Sequence, residues 1–306
     1  LSIADGIRSM PARDYDDAFA RFRALRALDG RTIIAQAYSR LWSQLERRPL
    51  CVVLFHGLTN CPEQWSAFAS QLHARGHNVV VPRFPGHGEV NRRGLGLAKV
   101  RSNDSLATAT EAVDIACGLG ERIVVAGLSS GGALAAWIGA HRADVELAIP
   151  ISPLVGLVRV NAEQNALLCS ILQALPNVFL PWDPVGDGSQ IPAHGYPDFP
   201  THGLAAAMRI GLDAVWSSRR GAPAAQRVQF VTNRREPVLN NQIARAMATA
   251  WNVHRRGSSG DFEFDRLPFN HDIIDPTNPL ERTAIVYPKL REIVESALEP
   301  VATASV

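Results

Sequence analysis

Short apolar runs recur along the chain, separated by stretches in which apolar residues return at helical spacing. The runs at 51–55, 78–81, 122–126, 147–151, 228–232 and 262–267 read as strands. Most are near-continuous in apolar character, the pattern of strands covered on both faces of a parallel sheet. Helix signals fill the gaps. Pro62 near a start and Gly76 past an end bracket a helix over 63–75. Asp104 or Ser105 can cap a helix running to about Cys117, with Gly118 as its stop. A further helix is expected over 240–255, and Pro288 is expected to open a last one that runs to about Ala297. Ahead of these, 14–28 is amphipathic and helical, followed by an antiparallel edge strand somewhere within 32–42. Alternation of this kind predicts the α/β class with a mostly parallel, doubly wound sheet. Residues 1–45 would form an N-terminal helix and edge-strand segment, and 46–306 the main domain.

The alternation stops between Ser152 and about Arg220. A helix is expected over 167–175, and 181–200 is loop-like, with Trp182, Tyr196 and Phe199 in it. A loop-rich stretch of this length inside a compact domain is usually functional. Residues 153–220 are therefore expected to be a cap or lid insertion over a site. Leu167, Leu168, Leu172, Leu175, Val178, Phe179, Leu180 and Trp182 are candidates for an apolar pocket there, or equally for the packing face of the insertion's helices.

Composition narrows the classes. At 306 residues, 46% apolar and 20% charged, the chain can bury one large core. Net charge is +2, and the arginine pairs are scattered rather than pooled, which argues against a nucleic-acid partner. No apolar stretch reaches the length of a membrane span. The expected location is cytoplasmic, although the chain begins at Leu1 without a methionine and an upstream signal or anchor stays open. The four cysteines form no C-x-x-C pair, and no metal or organic cofactor is implied. A Cys51–Cys61 disulfide and the oligomeric state are left open.

The candidate chemistry centres on Gly127-Leu128-Ser129-Ser130-Gly131, set between the apolar run 123–126 and an alanine-rich helix. A G-x-S-x-G at a strand-to-helix turn is a nucleophile elbow, which holds a serine hydroxyl out above the sheet. Gly127 and Gly131 flank Ser129 because a Cβ would collide with the neighbouring strand and helix. Such a serine needs a base within hydrogen-bond reach and an acid to orient that base, in the chain order Ser, acid, His. His271 follows the last predicted strand and suits the base. Glu236, just past the strand at 228–232, suits the acid, with Asp213 and Asp265 in reserve. Arg234 and Arg235 offer Glu236 the alternative of a surface ion pair. Backbone N–H groups of Ser130 and Leu58 are the expected oxyanion donors, Gly57 allowing the bend that turns Leu58 inward.

With these pieces the chain resembles serine hydrolases of the α/β-hydrolase superfamily, close to bacterial carboxylesterases and monoacylglycerol lipase-like enzymes. The matching residues are His56-Gly57-Leu58-Thr59, Pro82-Arg83-Phe84-Pro85-Gly86-His87-Gly88, the elbow glycines, Thr232 to Asn241, and His271-Asp272 with Asp275-Pro276. The resemblance covers about residues 50–290. It implies Ser129 as nucleophile, His271 as base, Glu236 as acid where aspartate is more usual, and backbone donors at Leu58 and Ser130. It also implies a structural rather than catalytic His87, and a small-molecule ester as substrate, with short to medium acyl esters or monoacylglycerol-like lipids expected. The alternatives are another serine hydrolase of this fold, a thioesterase, C–C bond hydrolase or peptidase, or a non-catalytic hydrolase-like binding protein.

Overall fold

The computed structural model describes residues 7–91, 93–182 and 191–299. The strands are β1 (Arg40–Trp42), β2 (Arg48–Phe55), β3 (Asn78–Val81), β4 (Gly120–Ser129), β5 (Leu147–Pro153), β6 (Phe179–Pro181), β7 (Asp198–Pro200), β8 (Arg227–Asn233) and β9 (Ser259–Phe264). The helices are α1 (Tyr15–Ala27), α2 (Ser66–Ala74), α3 (Ser102–Leu119), α4 (Ser130–His141), α5 (Ala162–Ala174), α6 (Thr201–Arg220), α7 (Asn241–His254) and α8 (Thr283–Glu295). Seven strands form one sheet in the order β1-β3-β2-β4-β5-β8-β9. Only β1 runs antiparallel, against β3, at the edge expected within 32–42.

Side chains alternate across the sheet and feed two cores. In β2, Leu50, Val52 and Leu54 pack with Trp65, Phe68 and Leu72 near α2 and with Val286, Tyr287 and Leu290 of α8. Cys51, Val53 and Phe55 face the other layer, built from α1, α3, α4, α6 and α7. Both faces are covered, which is why these strands lack the polar alternation of a one-sided sheet. The carboxyl ends of β2, β4, β5 and β8 lie side by side, so the loops that follow them gather at one edge.

Several boundaries differ from expectation. The predicted 63–75 helix opens as a 3₁₀ turn over Pro62–Trp65 before α2 begins. Gly118 does not stop α3, because it sits inside the helix where α1 comes close; a Cβ there would lie 2.3 Å from the Asp14 carbonyl oxygen. Strand β9 starts and ends three residues before the predicted run, so Asp265 lies past its tip rather than inside it. Pro288 lies inside α8, which starts at Thr283, since burial of Val286, Tyr287, Leu290 and Val294 on one face outweighs the proline. The stretch at 181–200 is not all loop: β6 and β7 pair antiparallel at its ends, while 183–190 lie outside the described residues. Cys51 and Cys61 are both free and buried, and burial pushes the Cys61 thiol up to about 12. Among the described residues no helix is long and apolar enough to cross a membrane.

Candidate active site

Strand β4 ends at Ser129 and α4 begins at the next residue. Ser129 has φ 60° and ψ −115°, a region that costs a non-glycine residue about 1–3 kcal/mol. The surroundings hold it there. A Cβ on Gly127 would fall 2.1 Å from the Gly131 carbonyl oxygen, and one on Gly131 would fall 2.1 Å from the Phe55 carbonyl oxygen. The crossing of α4 over the end of β2 therefore admits only hydrogen at these two positions. Ser130 N–H, in the first turn of α4, has no carbonyl one turn back and points along the positive end of the helix dipole.

The turn after β2 is held on several of its polar backbone atoms. His56 Nδ1 bonds the Gly57 carbonyl at 2.9 Å, and His87 Nε2 bonds the Leu58 carbonyl at 2.9 Å. Gly57 N–H donates to Gln64 Oε1 at 2.9 Å. Leu58 N–H is left without a partner among the described residues. Phe84 N–H donates to His56 Nε2 at 3.3 Å, so both His56 nitrogens are occupied and neither is free to act as a base. Burial, with His87 close by, holds the His56 pKa well below 6.5, and burial pushes His87 down to about 4.

Glu236 and His271 meet at the end of β8. His271 Nδ1 lies 2.9 Å from Glu236 Oε1, which also accepts from Val238 N–H at 2.9 Å. Both side chains are buried. Asn233, the last residue of β8, donates to the carbonyls of Pro268 and Asn270 at 2.9 Å each and so ties the histidine loop to the strand. Burial opposes charge on His271, but the charge and hydrogen bond of Glu236, with Asp272 behind them, outweigh it and raise its pKa above 6.5. Burial likewise opposes charge on Glu236, and His271⁺ with the Val238 N–H and Ser152 holds its pKa below 4.5. Ser152 Oγ lies beside this carboxylate, yet neither it nor Glu236 Oε2 makes a regular hydrogen bond. Ser152 also has φ 34°, at the end of β5.

The reserve acids sit elsewhere. Asp213 Oδ2 accepts from Trp137 Nε1 and lies 3.0 Å from His141 Nε2. Asp265 pairs with Arg234 at 3.4 Å on the surface, so that arginine leaves Glu236 alone. Of the other downstream histidines, His194 bonds Asp275 at 2.8 Å, His202 bonds the Leu175 carbonyl, and His254 is exposed at the end of α7.

A cavity of about 40 Å³ joins these parts, with Leu58, Gln64, Ser129, Trp182, Tyr196 and His271 in its wall. His271 Nε2 is buried without a hydrogen-bond partner. The Trp182 ring stands 5.6 Å from the His271 ring, and Tyr196 N–H donates to the Thr59 carbonyl at 2.7 Å. A smaller cavity of about 20 Å³, with Phe84, Leu134, Ala207 and Ile210 in its wall, shares Leu58 with the first. Of the apolar residues expected to line a pocket from 167–182, only Trp182 does so among the described residues. Leu168 and Leu172 pack into the core, and Leu167, Leu175 and Val178 are exposed. Gln64 and Ser152 enter the site without a motif to announce them, whereas Asn233 and Asp272 lie in matching stretches that assign them no role; a polar residue at a strand end, as at Asn233 and Ser152, is the one further signal available. No group of three or more His, Cys, Asp or Glu side chains among the described residues is placed to hold a metal ion.

Chemically, an imidazole with one nitrogen fixed by a carboxylate and the other unpaired on a cavity shared with a strained serine can take up and return a proton. Comparison with known proteins bears on where this arrangement belongs. A thermostable monoacylglycerol lipase of Bacillus sp. (strain H-257) is 28% identical over 117 residues, 38% of this chain. The match spans 46% of that lipase, a little under half of its length. The fold matches a structure from work on LipS and LipT, two metagenome-derived lipolytic enzymes, with a TM-score of 0.65 at 18% identity over 86% of this chain and 99% of that one. It also matches Paleococcus ferrophilus monoacylglycerol lipase, with a TM-score of 0.63 at 16% identity over 85% of this chain and 98% of that one. The profile of the alpha/beta hydrolase family matches residues 52–284. The match covers most of the chain and contains the strained serine, its glycines and the Glu236–His271 pair, and the chain belongs to the alpha/beta hydrolase family.

Proposed function

We propose that the chain is a serine hydrolase of carboxylic esters, with Ser129 as nucleophile, His271 as base and Glu236 as the acid that orients it. The observation that carries this reading is the split state of His271. Its Nδ1 is held by Glu236, while its Nε2 is buried, unpaired and on the same cavity as Ser129. Proton transfer from Ser129 Oγ to Nε2 frees the oxygen to attack the ester carbonyl. The oxyanion forms against the N–H groups of Leu58 and Ser130, the alcohol leaves with the proton from His271, and water repeats the sequence on the acyl-enzyme. Residues at about 153–220 serve as a cap in this reading, supported by Trp182 and Tyr196 on the cavity. The curated relative's name supports an ester, and the small cavities support short to medium acyl chains.

The test is the initial rate on p-nitrophenyl esters from acetate to palmitate, with Ser129→Ala as the blank. A Ser129-dependent maximum at short or medium chains is expected. A maximum at long chains would move the substrate to lipids, and no turnover at any length would overturn the ester reading.

A further inference from the structure

Among the polar side chains on the larger cavity, Asn60, Gln64 and Asp272 are hydrogen-bonded to one another. Gln64 is the centre of that arrangement. Its Oε1 accepts from Gly57 N–H at 2.9 Å and its Nε2 donates to Asp272 Oδ2 at 2.7 Å. The orientation of the amide is forced, because an N–H on one side requires the oxygen and a carboxylate on the other requires the nitrogen. Asp272 also accepts from Asn60 Nδ2 at 3.3 Å, and its Oδ1 accepts from the N–H groups of Ile274 and Asp275 at 3.2 and 3.1 Å. Gln64 itself is buried.

The two ends of this chain of bonds matter. Gly57 precedes Leu58, whose N–H is the unpartnered donor of the turn, and Asp272 follows His271 directly. His56 and His87 hold the Gly57 and Leu58 carbonyls of the turn. Gln64 joins the turn's N–H to the loop that carries the histidine, and Asn60, at the end of the same turn, adds a second and longer bond to that loop.

We infer that Gln64 and Asp272 are positioning residues that set the oxyanion-side turn at Leu58 and the His271 loop in one fixed relation. The inference rests on the ester-hydrolase reading above. In the ground state the link does nothing for substrate affinity, since both residues are satisfied without a ligand. Its effect falls on the transition state, where the donor at Leu58 and the proton on His271 must meet the same tetrahedral centre. Loss of the link is therefore a loss of kcat rather than a rise in KM.

The reciprocal exchange tests this. Gln64→Glu sets a carboxylate against the Asp272 carboxylate, and Asp272→Asn can set an amide N–H₂ against that of Gln64. The double variant restores one acceptor and one donor with the polarity reversed. Each single variant is expected to lose kcat on the order of 10²-fold, the scale of one oxyanion donor, with KM little changed. The double variant is expected to recover most of that loss. Gln64→Met, which removes both bonds without adding a charge, gives the same kcat loss if a charged single variant fails to fold. Losses that multiply in the double variant, or that track melting temperature alone, overturn the inference while wild-type turnover stands. A wild type without Ser129-dependent turnover overturns the ester reading and this inference together.

Discussion

His271 Nδ1 and Glu236 Oε1 lie 2.9 Å apart, and both side chains are buried. A buried imidazole would ordinarily stay neutral, yet the carboxylate outweighs burial and raises the His271 pKa above 6.5. Only the neutral form accepts a proton, so the acid limb of the kcat/KM profile is expected above pH 6.5. Glu236→Gln should move that limb to lower pH, as followed by the pH–rate profile of residual activity.

Glu236→Gln should also cost on the order of 10⁴-fold in kcat, by analogy with loss of the acid in a serine-protease triad. Glu236→Asp should fall between the two, because the shorter side chain draws its carboxylate back from His271. Stopped-flow and steady-state rates on one p-nitrophenyl ester would rank the three proteins. Near-wild-type rates in Glu236→Gln would refute the assignment.

Asp213→Asn and Asp265→Asn should retain wild-type turnover. Asp213 is engaged by Trp137 and His141, and Asp265 by Arg234. Asp213→Asn should lower the melting temperature modestly, since it weakens a hydrogen bond to Trp137, while Asp265→Asn should leave it unchanged. A dead Asp213 or Asp265 variant would place the acid elsewhere.

The histidines act on stability in opposite directions. His87 is held down to about 4 by burial, so the folded state binds fewer protons there than the unfolded chain. Its contribution is present above pH 6.5 and is lost as pH falls through about 4, by up to ~3 kcal/mol. The raised His271 contributes below pH 6.5 and loses that contribution as pH rises through its folded value. Urea unfolding from pH 8 to 4 should therefore show a weaker acid decline in His87→Gln than in wild type. Equal slopes would count against a neutral buried His87.

Ser152→Ala should lower kcat and shift the His271 limb downward, because the hydroxyl beside Glu236 helps keep the carboxylate charged. The effect should be well below that of Glu236→Gln. Identical pH profiles in wild type and Ser152→Ala would leave Ser152 a structural residue.

Much of the sheet was legible because covered strands are written as apolar runs, and the elbow because two close crossings demand glycine on either side of one serine. The proposed acid was legible only as one candidate among three. What decides the geometry is where Arg234, Trp137 and His141 spend their hydrogen bonds, and those are tertiary contacts with no period in the chain. The bond between Gln64 and Asp272 was illegible for the same reason: the two lie 208 residues apart, and Asp272 stood out only as the neighbour of His271. The β6–β7 pair has no signature in the sequence, because three-residue strands, each ending in proline, carry no alternation.

The crossing at Gly131 and Phe55 has one more consequence. It registers the serine against the backbone of the sheet, whereas Trp182 and Tyr196 reach the cavity from a segment inserted between β5 and β8. In the proposed reaction, the reactive hydroxyl and the wall that greets a substrate are thus attached to different parts of the chain. If Ser129 is the nucleophile as proposed, exchange of the inserted segment would retune which molecules enter while the serine keeps its place, and diversification by drift or by engineering would have a natural seam to follow.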